Sequence, residues 1–211
     1  MKTFIAIPCM DKIDTRFVEC LINMQPVGAV SYNFLEGSLI YDSRNKLAAA
    51  AVKSKSDYVM WLDSDMVFTD TLLIDMMESI KGRDFVTGLC CARRPPFNPC
   101  IWKTLRAGIE PGDTQIERFD TIPDRTFNIE GCGFACVLMR TEMLETVQNK
   151  YHTTFMPLPW CGEDLSFCVR ARGCGYELHC DPRIEVGHIG TTVVTRETYT
   201  AFNRSGRKLK Q

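Results

Sequence analysis

Two carboxylates spaced i, i+2, Asp63 and Asp65, stand at the end of an unbroken apolar run, Tyr58-Val59-Met60-Trp61-Leu62. A short apolar run with a β-branched residue and two aromatics reads as a strand buried on both faces. In an open parallel sheet, ligands bind at the carboxyl ends of such strands. In an extended chain residues i and i+2 point the same way, so Asp63 and Asp65 can converge on one hard divalent cation carrying a phosphorylated ligand. The plainer reading of Asp63-Ser64-Asp65 is a strand-end turn whose carboxylate caps the next helix. Three more stretches hold chemistry: Ser43-Arg44-Asn45, Gly162-Glu163-Asp164 and Val186-Gly187-His188-Ile189-Gly190. Each also has an ordinary role open to it. Arg44 reads as an exposed charge near a helix start, and Glu163 and Asp164 as acids favouring a helix dipole. His188 reads as a hydrogen-bonded core histidine, and Trp160 as packing rather than a sugar platform.

The elements that must position these residues follow an alternating pattern. Thr3–Cys9 is a strand, and the segment from Asp14 places Phe17, Val18, Leu21 and Met24 on one helical face. Val27–Phe34 is a second strand, Tyr41–Lys53 an alanine-rich helix, and Tyr58–Leu62 the core strand. A helix over Asp70–Ile80 and a strand over Asp84–Cys90 complete a βαβαβαβ order, which predicts an α/β fold with a mainly parallel central sheet flanked by helices. The loop Arg93–Pro99 is basic and turn-rich, and Arg93 and Arg94 read equally as phosphate contacts or as solvated charges. Short strands are expected at Cys100–Leu105, Gln115–Phe119, Thr126–Glu130 and Phe134–Met139, separated by turns at Gly108, Pro111-Gly112 and Pro123-Asp124. A helix over Thr141–Asn149, an irregular and mobile loop over Tyr151–Gly162, a helix over Glu163–Arg172 and two short strands, Tyr176–Cys180 and Ile184–His188, end the pattern. From Arg196 the tail carries five Lys or Arg against one acid, Glu197. Residues 1–190 are therefore read as a single domain and 191–211 as a basic, partly disordered tail.

Composition narrows the class. With 211 residues and 24.0 kDa, the chain can bury a substantial core in one domain. A net charge of −1 speaks against a broadly basic nucleic-acid binder. The apolar stretch Phe4–Ile7 stops at Pro8, too short for the apolar region of a secretory signal, and no run is long enough to span a bilayer. The eleven cysteines are then expected to be reduced thiols of a cytoplasmic protein, packed as small hydrophobes. Cys168, Cys174 and Cys180, with His179, lack the paired spacing of a zinc ribbon, so zinc is the lesser alternative.

Taken in order, Arg44, Asp63-Ser64-Asp65, Gly162-Glu163-Asp164 and His188 resemble the GT-A glycosyltransferases, in particular the family 2-like branch found in small bacterial and prophage proteins. The resemblance runs from Phe4 to about Gly190. It implies a GT-A fold and transfer of a sugar from a nucleotide-diphosphate sugar to an acceptor hydroxyl of a glycan, protein or small molecule. It implies that Asp63 faces the nucleotide ribose, that Asp65 holds Mn²⁺ or Mg²⁺ on the diphosphate, and that Arg44 steadies the nucleotide side. It further implies that Asp164 is the general base and that His188 completes the metal shell. The sequence departs from the pattern at Cys9-Met10-Asp11, where many members carry a small hydroxyl residue and a polar base contact. The chemistry is self-consistent, since a cation and cationic side chains stabilise a leaving diphosphate and a carboxylate activates a hydroxyl. Three other readings remain. Asp63-Ser64-Asp65-Met66-Val67 also fits the first motif of haloacid-dehalogenase-like phosphotransferases, with Asp63 as nucleophile. A nucleotidyltransferase with a similar sheet would usually show a glycine-rich, basic loop after its first strand, which Met10-Asp11-Lys12 is not. A binding module that holds a nucleotide sugar without turnover is the third.

Overall fold

The structure, a computed structural model, describes residues 1–10, 12–37, 39–106, 115–190 and 193–205. The first half alternates as β1 (Lys2–Cys9), α1 (Thr15–Asn23), β2 (Ala29–Glu36), α2 (Ile40–Lys53), β3 (Tyr58–Leu62), β4 (Met66–Val67), α3 (Leu72–Ser79) and β5 (Phe85–Cys90). Five short strands follow: β6 (Ile101–Trp102), β7 (Thr104–Arg106), β8 (Gln115–Glu117), β9 (Phe127–Ile129) and β10 (Gly131–Cys132). The expected turns at Gly108 and Pro111-Gly112 lie outside the described residues. The chain closes with β11 (Cys136–Arg140), α4 (Thr141–Tyr151), α5 (Glu163–Gly173), β12 (Leu178–Ile189), β13 (Val193–Val194) and α6 (Arg196–Arg204).

The period of two along the inner strands divides the core between two faces of one sheet. Phe4, Ala6, Val59 and Trp61 point to one face, where α2, α4 and α5 cover them with Leu47, Ala51, Leu144, Val147 and Phe167. Ile5, Ile7, Met60 and Leu62 point to the other, covered by Phe17 and Leu21 of α1 and by Leu72, Leu73 and Met76 of α3. Val59 to Leu62 are fully buried, which makes β3 the doubly covered strand its composition predicts. Each large side chain removed from water this way contributes about 1.5–3 kcal/mol.

The sheet runs β13-β12-β5-β11-β3-β1-β2, with β4 and β9 also paired to β12. Pairings β1–β2, β1–β3 and β5–β12 are parallel. The sheet is nonetheless mixed, because β11 inserts antiparallel between β3 and β5. Apolar periodicity carries no sign of strand direction, so the sequence could not distinguish this arrangement from a wholly parallel one. The two strands expected at Tyr176–Cys180 and Ile184–His188 are one, β12. Pro182 interrupts its pattern, and the register against β5 shifts between Asp181 and Glu185. Asp181, buried at that shift, accepts hydrogen bonds from Arg183, from Ser79 (2.8 Å) and from Thr126 (3.0 Å).

Two segments read as irregular carry specific contacts among the described residues. The loop from Tyr151 to Gly162 is pinned rather than loose: Phe155 is fully buried, and Asn45 Oδ1 accepts from Thr154 Oγ1 (2.6 Å) and Phe155 N (2.9 Å). Buried Arg170 donates to the Thr154 carbonyl at 3.1 Å. The basic tail holds a helix, α6, opened by a capping box between Thr195 and Thr198; residues 206–211 lie outside the described residues. Among the described residues no helix is long and apolar enough to cross a membrane.

Candidate functional site

Parallel strands β1 and β3 end at one edge of the sheet, and antiparallel β11 begins there, with Asp63 N donating to the Ala135 carbonyl at 3.2 Å. A cleft of about 740 Å³ opens at that edge. Arg44, Asp63, Asp65, Asp164 and His188, the five residues singled out from sequence, all line it. A second hollow of about 630 Å³, between α2 and α4, contains none of them.

Arg44 projects from the first turns of α2 into the cleft floor, where it is 3% exposed. Its Nη2 donates to Asp63 Oδ1 at 2.8 Å and its Nε to Glu163 Oε1 at 3.3 Å. Its guanidinium lies 5.4 Å from the Phe134 ring centre and 5.7 Å from that of Trp61, within reach of cation–π attraction. Those rings belong to a cluster with Phe155 and Phe167 that fixes the floor. Arg44 thus ties the end of β3 to the start of α5, and its Nη1 has no hydrogen-bond partner among the described residues. Desolvation pushes the Asp63 carboxyl above its ordinary value, the Arg44 charge opposes that, and the nearby Asp65 adds to it. Sequence reasoning placed Glu163 only at a helix dipole. Its ion pair with Arg44 joins residues 119 apart in the chain, and no local pattern signals such a partner.

Asp63 and Asp65 do not share one partner. The strand ends at Leu62, Ser64-Asp65 is a turn, and the i, i+2 rule for extended chain no longer applies. Asp65 instead belongs with His188. β4 pairs with β12, putting Met66 opposite His188 and Val67 opposite Gly187, and Ile189 N donates to the Asp65 carbonyl at 2.8 Å. His188 Nε2 then lies 3.2 Å from Asp65 Oδ2. The other ring nitrogen, Nδ1, is 3.0 Å from the Cys91 carbonyl, which can only accept, so Nδ1 carries a proton and Nε2 faces the carboxylate. Burial lowers the affinity of this imidazole for a second proton, but Asp65, the Cys91 carbonyl and Cys100 raise it more, and the net shift is upward. Arg93 Nη1 also donates to Asp65 Oδ2, at 2.9 Å.

Gly187 lies within continuous β12, and a Cβ there would meet Val67 Cγ2 and Val193 Cγ1 at 2.7 Å each. Its role is to let three strands close around His188.

Asp164 sits in the first turn of α5 between two glycines. A Cβ on Gly162 would come 3.2 Å from Oδ1, and one on Gly133 3.7 Å from Oδ2. Oδ1 accepts from its neighbour Leu165 N at 2.7 Å. Desolvation, with help from Glu163, pushes this carboxyl from the ordinary 3.8 up to about 6 against the pull of the Leu165 amide and Arg44. A carboxylate tuned toward neutrality in a cleft has the properties of a general base.

Mn²⁺ or Mg²⁺ was expected on Asp65 and His188. Among the described residues no three His, Cys, Asp or Glu side chains are grouped to hold a metal ion. Asp65 and His188 make a two-residue set, one carboxylate and one imidazole whose far nitrogen is already oriented by a carbonyl. The carboxylate would suit a hard cation, the imidazole would favour Mn²⁺ over Mg²⁺, and the remaining positions would fall to phosphate oxygens and water. All eleven cysteines are unbridged; Cys90, Cys91, Cys132, Cys136, Cys168 and Cys180 are buried. Cys9, Cys90 and Cys100 border the cleft, which sequence spacing did not signal.

No protein family and no curated protein matches the chain. Among solved structures 331 chains match, so the architecture is a recurrent one. One is the crystal structure of A197 from STIV, 16% identical, with a TM-score of 0.65, covering 90% of this chain and 86% of that one. At this identity the likeness extends to the fold alone: a mixed α/β sheet flanked by helices.

Proposed function

We propose that this chain is a GT-A glycosyltransferase that moves a sugar from a nucleotide-diphosphate sugar to an acceptor hydroxyl. The observation that carries the proposal is the meeting of Arg44, Asp63, Asp65, Asp164 and His188 in one cleft at the carboxyl edge of the sheet. In it Asp65 and His188 would hold the cation, Mn²⁺ or Mg²⁺, which would neutralise charge on the departing diphosphate. Asp63, fixed by Arg44, presents a carboxylate toward the nucleoside. Arg44 also holds Glu163 and with it the start of α5, so the position of Asp164 is set by the same guanidinium that orders the donor side. Asp164 takes the proton of the attacking hydroxyl, and its raised affinity for protons makes it a stronger base than an exposed aspartate.

The test is turnover. Incubation with a panel of nucleotide sugars and Mn²⁺ or Mg²⁺ is expected to release a nucleoside diphosphate from at least one donor, with Asp164→Asn impaired. A module that only binds would raise the melting temperature with a donor and release nothing. The phosphotransferase reading instead requires a covalent phosphoryl group on Asp63 after exposure to a phosphoryl donor, which intact-protein mass spectrometry detects. The Asp63 oxygen bonded to Arg44 argues against that role.

A further inference from the structure

Asp65 Oδ2 accepts from Arg93 Nη1 at 2.9 Å and lies 3.2 Å from His188 Nε2. Oδ2 is the carboxylate oxygen that faces His188 Nε2, so a divalent cation placed between Asp65 and His188 would meet it. Such a cation would stand beside the guanidinium already on that oxygen, and their like charges repel. We propose that Arg93 is a donor-phosphate residue, held on Asp65 until a cation takes that oxygen and then turned onto the diphosphate. The inference rests on the glycosyltransferase reading of the cleft.

Three features support it. The other guanidinium in the cleft, Arg44, is buried and committed to Asp63 and Glu163, so it cannot follow a phosphate. The backbone carrying Arg93 is anchored on both sides, with Ala92 N donating to the Asn98 carbonyl at 2.9 Å and Cys100 N to the Cys90 carbonyl at 2.8 Å. Phe97 at its tip packs edge-on against Phe202 of α6 at 5.4 Å. Against that fixed base the Arg93 side chain is 52% exposed, free to swing without leaving a packed environment. A planar guanidinium then pairs with two phosphate oxygens, the geometry for which arginine is suited. Arg94, its neighbour, is exposed and does not line the cleft.

The experiment measures two affinities on the intact chain. Mn²⁺ alone is titrated by electron paramagnetic resonance, and inorganic pyrophosphate is titrated by calorimetry at saturating Mn²⁺. Arg93→Ala is expected to bind Mn²⁺ alone more tightly than the parent, because the competing charge is gone. The same variant is expected to bind pyrophosphate roughly tenfold more weakly, the loss of one charge-assisted hydrogen-bonding partner. Arg93→Lys should fall between, and Arg94→Ala should match the parent in both. Unchanged pyrophosphate affinity in Arg93→Ala overturns the proposal and leaves Arg93 as a partner of Asp65 only. Weakening of both affinities also overturns it, since Arg93 would then shape the metal site rather than compete for it. If the parent itself binds no pyrophosphate with Mn²⁺, the reading of the cleft fails and the role of Arg93 fails with it.

Discussion

Asp164 shows how one side chain's surroundings set both its chemistry and its cost. Its carboxyl takes up a proton at about 6 in the folded chain against an ordinary 3.8, so the folded state binds that proton more tightly than the unfolded state does. Above pH 6 the charged form therefore opposes folding, by no more than about 3 kcal/mol. That penalty shrinks as pH falls from 6 toward 4. Asp164→Asn is expected to be more stable than the parent in urea at pH 7.5, with the difference closing near pH 4. The same substitution removes the base, and transfer is expected to fall by roughly 10²–10⁴. In the parent, turnover should rise through about pH 6 as the carboxylate forms, and in Asp164→Asn that limb should vanish. A flat parental profile across pH 5–7 would assign the proton transfer to another group.

At the scale of elements, the pairing of β4 with β12 brings Asp65 to His188, and Gly187 permits it. Gly187→Ala puts a methyl group 2.7 Å from Val67 and from Val193. Overpacking of this kind is expected to cost about 1–3 kcal/mol, and displacement of β4 should weaken Mn²⁺ binding at the same time. Thermal unfolding and Mn²⁺ titration together check this; a variant unchanged in both would mean that β4 and β13 are free to yield. The elements themselves were largely legible, because β3 is apolar on both faces and α1 and α3 carry apolar residues at helical spacing. What could not be read was whatever long-range pairing decides: the antiparallel direction of β11, the fusion of two strands into β12 across Pro182, and the anchoring of the Tyr151–Gly162 loop by Asn45. The site divides in the same way. Arg44, Asp63, Asp65, Asp164 and His188 were brought together as a set by the resemblance, and they line one cleft. Glu163 as the partner of Arg44, and Arg93 as the partner of Asp65, became visible only once distant segments were brought together.

At the scale of the whole molecule, two layers of helices bury the sheet and leave its carboxyl edge open, so the charged groups concentrate where the core cannot cover them. On the proposed function, this edge would hold a nucleoside diphosphate through a divalent cation on Asp65 and His188. Calorimetric titration of uridine and guanosine diphosphates, with and without Mn²⁺, tests it most directly in the parent, in Asp65→Ala and in His188→Ala, each variant first checked for native circular dichroism. The parent is expected to bind at least one diphosphate only when Mn²⁺ is present, with that binding abolished in Asp65→Ala and weakened in His188→Ala. Binding by folded Asp65→Ala as tight as the parent's, or no Mn²⁺-dependent binding by the parent, would contradict it.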